Sequence, residues 1–160
     1  MTVTLRDVVS EDGPLLLALY ASTREAEMAM VPWAPDEKRA FVEMQFTAQQ
    51  RSYAASYPAG EHRIVSVDGH GVGRIYLNRT EERLHILDLT IAPQHRSQGI
   101  GSNVLAGLLA EADAHGKPVT IYVESFNPSR RLFERLGFEV AAEDGHQLLL
   151  RRTAQSEPRL

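Results

Sequence analysis

Cysteine is absent from the 160 residues, which excludes disulfide frameworks, thiolate zinc sites and a cysteine nucleophile, and leaves the redox compartment open. Basic residues are not in excess. The formal net charge is -4, whereas a general nucleic-acid binder needs a basic face to displace phosphate counterions, so no nucleic-acid partner is expected. Long apolar runs are missing as well. Met1 to Asp7 alternates apolar and polar residues with no basic region followed by an apolar stretch, so neither a signal peptide nor a membrane span is expected, and the cytoplasm is the default location. The histidines are scattered without metal-ligand spacing, so no metal is expected. No serine stands in a nucleophile-elbow pattern, which disfavours a covalent acyl-enzyme. Repeats and low-complexity linkers are also lacking. With 43% hydrophobic and 24% charged residues, the chain reads as one globular domain, expected over residues 1–152, followed by a loose polar tail over 153–160.

The pattern that remains is a regular alternation of elements. Met1 to Val8 reads as a strand, and Ser10 to Pro14 starts a helix that carries Leu15, Leu16, Leu19 and Tyr20. A second helix is expected from about Asp36 to Tyr53, closed by Pro58 to Gly60. His62 to Leu77 is apolar on both sides of Asp68-Gly69-His70-Gly71, a hairpin signal. Leu84 to Ile91 is apolar at nearly every position and is expected to be a central strand buried on both faces. Ile100, Val104, Leu105, Leu108, Leu109 and Ala112 form the stripe of a third helix, ended by Gly116 and Pro118. A strand over Val119 to Val123, a short helix over Pro128 to Leu136, and a hairpin from Phe138 to Ala142 and Gln147 to Arg151 complete the chain.

Between the central strand and the third helix stands Arg96-Ser-Gln-Gly99-Ile-Gly101. A glycine turn opening a helix presents unpaired backbone N–H groups and the positive end of the helix dipole, which suits a pyrophosphate. The same glycines would also serve a tight strand-to-helix connection. A Walker loop is excluded, because Ile100, Gly101 and Ser102 follow Gly99 in place of a Gly-Lys-Ser/Thr ending. A dinucleotide fingerprint fails at Val104, where its third glycine belongs.

The turn at Arg96, Gly99 and Gly101 and the segment from Asn127 to Phe138, at their separation and in this element order, resemble the GCN5-related N-acetyltransferase (GNAT) family, and the resemblance covers nearly the whole chain. It implies an α/β (α+β) fold: a mixed, mostly antiparallel sheet of about seven strands flanked by about four helices, splayed between the fourth and fifth strands. It implies acetyl-coenzyme A as cosubstrate and an amine acceptor as partner. By the same resemblance, Gln98, Gly99, Ile100, Gly101 and Ser102, led into by Arg96 and Ser97, would hold the pyrophosphate. Leu89, Thr90 and Ile91 would pair with the pantetheine arm, the Leu89 N–H would face the developing oxyanion, and Asn127 would bond near the arm. Phe133 stands where the family commonly has a tyrosine that protonates the departing thiolate, and a phenyl ring cannot donate a proton. Tyr122 and Tyr76 are substitutes for that role or ordinary strand aromatics.

Direct attack by an amine requires removal of a proton. Asp88, beside Leu89, is the first choice for the base, or else it pairs with an arginine; Glu82, His85 and Glu124 rank below it. His85 and Asp88 are an odd number apart and face opposite sides of the strand. The family's acceptor site is shaped by the first two helices and their loop. Glu27 and Trp33, near Arg24, Glu25, Met28 and Met30, are therefore the acceptor candidates, a solvated helix end being the alternative. Arg130, Arg131 and Arg135 either meet coenzyme phosphates or form a solvated face. A homodimer is left open. The competing readings are an acyl-coenzyme A sensor without turnover, prompted by Phe133, and an acetyltransferase acting on charged transfer RNA, which the lack of a basic surface disfavours.

Overall fold

The computed structural model describes residues 1–125 and 129–155. Among these residues seven strands and four α-helices follow one another: β1 (Val3–Asp7), α1 (Gly13–Ala29), α2 (Pro35–Ser56), β2 (Glu61–Val67), β3 (His70–Arg79), β4 (Leu84–Ile91), α3 (Ile100–Ala114), β5 (Val119–Glu124), α4 (Arg130–Arg135), β6 (Glu139–Asp144) and β7 (Gln147–Arg152). The strands form one mixed sheet in the order β1-β2-β3-β4-β5-β7-β6. The expected order of elements and the expected sheet are both present. Two compact units divide the chain, Met1–Tyr76 with Leu89–Gly101, and Leu77–Asp88 with the chain from Ser102 on.

In the first unit, β1 pairs antiparallel with β2. Asp68 (φ 50°) and Gly69 (φ 85°) form the two-residue loop from β2 to β3. Two consecutive left-handed residues match the twist of the flanking strands, which is why Asp-Gly at this spacing marks a hairpin. A 3-10 turn at Ser10–Asp12 precedes α1, with proline in the first turn of the helix. The Asp12 carboxylate accepts from the Val9 N–H at 2.8 Å and from two Arg6 nitrogens at 2.9 and 2.8 Å. Those bonds, led by Arg6, lower its pKa to about 2. α1 continues nine residues past Tyr20, because Ala21, Glu25, Ala26, Glu27 and Met28 are good helix formers with no breaker among them. Leu16, Leu19, Tyr20, Ile64, Val65 and Ile75 are buried here.

The second unit contains the parallel pairing. β4 and β5 are joined through Leu84↔Val119, His85↔Thr120 and Ile86↔Ile121, whereas β5 pairs antiparallel with β7 along its whole length, from Val119↔Arg152 to Glu124↔Gln147. Among the described residues the β4–β5 ladder thus covers only the first three residues of each strand, which accords with the expected splay. Burial along β4 changes at the same point. Leu84, His85 and Ile86 are buried, whereas of the remaining residues Thr90 is buried and Leu87, Asp88, Leu89 and Ile91 are half-buried, so the expectation of burial on both faces holds in full for the paired half alone. Of the short helix expected from Pro128 to Leu136, Pro128 lies outside the described residues, and α4 spans Arg130–Arg135 with Leu136 as its C-cap; Gly137 (φ 97°) follows, and the Phe138 N–H donates to the Phe133 carbonyl at 3.0 Å. A left-handed glycine and that return bond form the C-terminal lock of the helix. β6 pairs antiparallel with β7, with an irregularity between Val140 and Ala142.

Candidate active site

β4 ends at Ile91, and the chain turns through a 3-10 segment at Pro93–His95 into the glycine turn. The Arg96 Nε donates to the Ile91 carbonyl at 3.0 Å, which ties the turn to the strand end. Ser97 (φ 63°) and Gly99 (φ 78°) are both left-handed, on either side of Gln98, and left-handed residues in such a turn set backbone N–H groups in a concave, anion-binding arrangement. Helix α3 starts at the next residue, Ile100, which is buried and anchors the first turn, while Arg96 through Gly99 and Ser102 are exposed. The two glycines have different reasons to be glycine. A Cβ at Gly99 would meet nothing within 4 Å, so only its φ requires the residue, whereas a Cβ at Gly101 would sit 3.9 Å from the Ile91 Cγ1, in ordinary contact.

The strand end is held by a glycine that sequence reasoning passed over. A Cβ on Gly73 of β3 would come within 2.5 Å of the Thr90 carbonyl oxygen and 2.8 Å of the Ile91 Cδ1. Glycine therefore allows β3 to approach the backbone at Thr90 and Ile91, a role that an isolated strand glycine can signal. Thr90 is buried, and Leu89 and Ile91 are half-buried.

Of the titratable groups on β4, Asp88 is half-buried and His85 is 2% exposed. The His85 Nδ1 lies 2.7 Å from the Thr120 Oγ1, and its ring meets Tyr122 edge-on at 5.5 Å. Burial, and then the nearby Arg83 charge, lower its pKa to about 4. A buried imidazole that weakly basic is neutral at physiological pH and a poor proton acceptor there. Tyr122 is exposed, and Tyr76 is buried in stacking contact with His62. Phe133 is buried, edge-on to Phe138 at 5.4 Å. Asn127 lies outside the described residues. Arg130 is half-buried and paired with Glu134 at 2.9 Å, while Arg131 and Arg135 are exposed.

Helices α1 and α2 border a cleft of about 680 Å³, lined by Leu17, Ala18, Ala21, Ser22, Glu25, Met28, Ala29, Lys38, Arg39, Val42, Glu43 and Pro93. Neither acceptor candidate, Glu27 or Trp33, lines it, whereas their neighbours Glu25 and Met28 do. Glu27 is instead ion-paired with Arg24 at 3.0 Å, and Trp33 packs edge-on against Phe41 at 5.2 Å. The α2 side of the cleft was not legible, because Lys38, Arg39 and Glu43 read as ordinary solvated helix positions. Arg74, fully buried on β3, was also missed. Its guanidinium donates to the Gln49 Oε1 at 2.6 Å and lies over the Phe46 ring at 5.7 Å. Its one signal in the sequence is a charge inside an otherwise apolar strand. No cluster of His, Asp or Glu placed to hold a metal occurs among the described residues, and none of their helices is long and apolar enough to cross a membrane.

Among the described residues, a seven-stranded mixed sheet with four α-helices and a glycine turn opening α3 define the fold as an open α/β sheet. The model of the Acetyltransferase (GNAT) family matches residues 20–138, and the chain belongs to that family. Solved structures agree in fold. The PaiA N-acetyltransferase from Thermoplasma acidophilum, in complex with coenzyme A, superposes with a TM-score of 0.71 at 16% identity, covering 96% of this chain and 99% of that one. An acetyltransferase from Thermus thermophilus gives 0.67 at 19% identity, with 96% and 97% covered. A GNAT family acetyltransferase from Elizabethkingia anophelis with acetyl-CoA bound gives 0.61 at 16%, with 94% and 97% covered. Family membership supports acetyl transfer as the general activity, and the solved structures agree with it in fold.

Proposed function

We propose that residues 1–152 form one cytoplasmic N-acetyltransferase domain that transfers the acetyl group of acetyl-coenzyme A to a primary amine, on a small molecule or a protein, by direct attack in a ternary complex. The observation that carries this reading is the pair of left-handed residues, Ser97 and Gly99, in the turn that links the end of β4, through a 3-10 segment, to the start of a 15-residue helix. Backbone donors at such a place hold an anionic diphosphate without any cationic side chain. In this proposal Gln98 through Ser102, led into by Arg96 and Ser97, hold the pyrophosphate. Leu89, Thr90 and Ile91 pair with the pantetheine, and Asn127 and Phe133 border it.

Asp88 takes the proton of the attacking amine, directly or through water. The new C–N bond forms at the acyl carbon, the oxyanion is met by the Leu89 N–H, and the C–S bond breaks. Phe133 has no proton to give, so water protonates the thiolate. The acceptor amine is drawn to the end of α1, where Glu27 and Trp33 are joined by Glu25 and by Glu43 of the neighbouring cleft.

Calorimetry with acetyl-coenzyme A and coenzyme A, followed by a thiol-release screen over amines, polyamines, amino acids and peptides, tests the proposal. Failure of folded protein to bind either coenzyme form would end it. A second reading is an acyl-coenzyme A-binding domain without turnover, favoured by Phe133 being a buried phenyl ring at the usual tyrosine position. Tight coenzyme binding without thiol release across the whole amine panel would select that reading.

A further inference from the structure

At the opposite end of α3 from the glycine turn, a second cleft of about 120 Å³ is lined by Arg79, Arg83, Leu84, Glu111, Ala112, His115 and Lys117. Two arginines and a lysine face one carboxylate there, a surplus of two positive charges before His115 is counted, in a protein whose overall charge is -4. The cations are held in place. Arg79 grips both Glu111 oxygens at 2.7 and 3.0 Å, Arg83 donates to the Thr120 Oγ1 at 3.2 Å, and the Lys117 Nζ donates to the Thr80 carbonyl at 2.7 Å. An arginine carries five N–H donors and a lysine three, so these bonds leave Arg83 and Lys117 with further donors for a ligand.

Helix capping does not account for the cluster. Among these groups His115 serves the helix end, its Nδ1 lying 2.9 Å from the Glu111 carbonyl, whereas Arg79 and Arg83 come from the β3 end and the β4 approach. Glu81 and Glu82, in the intervening turn, are exposed and do not line the cleft. The positive field reaches the neighbours. Hydrogen bonds from Arg79 first, and the charges of His115 and Lys117 after them, hold the Glu111 carboxyl below its ordinary range against the opposing effect of burial. A cleft of about 120 Å³ has room for a small oxyanion.

We propose that this cleft is a second ligand site, for a single phosphate group, separate from the turn at Ser97–Gly101. A phosphate carrying about -1.5 to -2 charges at neutral pH matches the cleft's surplus, and guanidinium groups suit its geometry. Glu111 lies eleven residues along α3 from Ile100, about 16 Å at the helical rise, so one phosphate cannot occupy both ends of the helix.

The test follows the amide chemical shifts of Arg83 and Lys117 during titration with sodium phosphate at low ionic strength, with and without saturating coenzyme A. Saturable shifts that persist with the coenzyme present are expected. Arg83→Gln and Lys117→Gln should each weaken binding by about tenfold or more, read at the other residue's amide. Acetate, with one charge, should bind more weakly than phosphate. Glycerol 3-phosphate binding more tightly than inorganic phosphate would identify an ester as the natural source, and equal or weaker binding would identify the free ion. The proposal is overturned by the absence of saturable shifts, by shifts that coenzyme A abolishes, or by affinities that neither substitution changes. None of these outcomes depends on whether the protein turns over an amine.

Discussion

His85 should make the protein lose stability in mild acid. The folded pKa is about 4 against 6.5 for the free side chain, chiefly because the ring is buried and secondly because Arg83 is near. Between those two values the unfolded chain binds a proton that the folded chain refuses, so stability falls as pH falls from 6.5 toward 4 and levels off below. From the two values, His85 alone costs roughly 2 kcal/mol at pH 5 and about 3 kcal/mol at pH 4, relative to pH 8. Against a typical domain stability of about 5–15 kcal/mol this is a measurable share. The perturbation is His85→Asn, which offers a polar group toward the Thr120 hydroxyl and does not titrate. Urea unfolding followed by circular dichroism, at several pH values from about 8 down to about 4.5, gives the stability of both proteins. Every other titrating group is shared, so the difference between the two curves isolates His85. Whatever the variant's stability at pH 8, its curve should be flatter by roughly 2 kcal/mol at pH 5. Parallel curves would refute the argument that burial holds this ring neutral.

Asp12 operates at lower pH. Its folded value is about 2 against 3.8, so its contribution is complete above about pH 4 and is lost as pH falls toward 2; Asp12→Asn should remove that part of the acid transition in a pH titration of the unfolding midpoint. Gly99→Ala should cost about 1–2 kcal/mol of stability through its left-handed φ and should weaken acetyl-coenzyme A binding, whereas Gly101→Ala should fold with wild-type stability. Thermal melts and calorimetry on the pair would contradict this if Gly101→Ala proved the less stable. Gly73→Ala forces a Cβ against the Thr90 carbonyl and should cost about 1–3 kcal/mol while lowering coenzyme affinity; an unchanged melting temperature would show that β3 can yield there. Phe133→Tyr should leave coenzyme affinity almost unchanged and should not lower turnover in the thiol-release assay, and a large loss would show that the phenyl ring has another use.

The features that the sequence determined by itself are those set by a few neighbouring residues. The Asp68-Gly69 hairpin, the glycine turn ahead of α3 and the stop at Gly137 each depend on backbone angles that only certain residues adopt cheaply, so they were legible as letters. The family resemblance carried the fold further, because it joined two such local motifs at a set separation. Other features depended on what lies far away in the chain. β7 enters the sheet between β5 and β6, and the β4–β5 ladder covers only three pairs; strand partnership is a contest among distant segments that no local pattern encodes. Arg74 and His85 look like ordinary polar letters within strands, yet burial makes one a fully enclosed cation and the other a neutral ring. The closeness of Gly73 to Thr90, the lining of the α1–α2 cleft and the gathering of Arg79, Arg83, Glu111 and Lys117 likewise exist only after folding. Backbone sterics act within a few residues and can be read along the chain, whereas desolvation and charge fields act through space and depend on which segments the fold brings together.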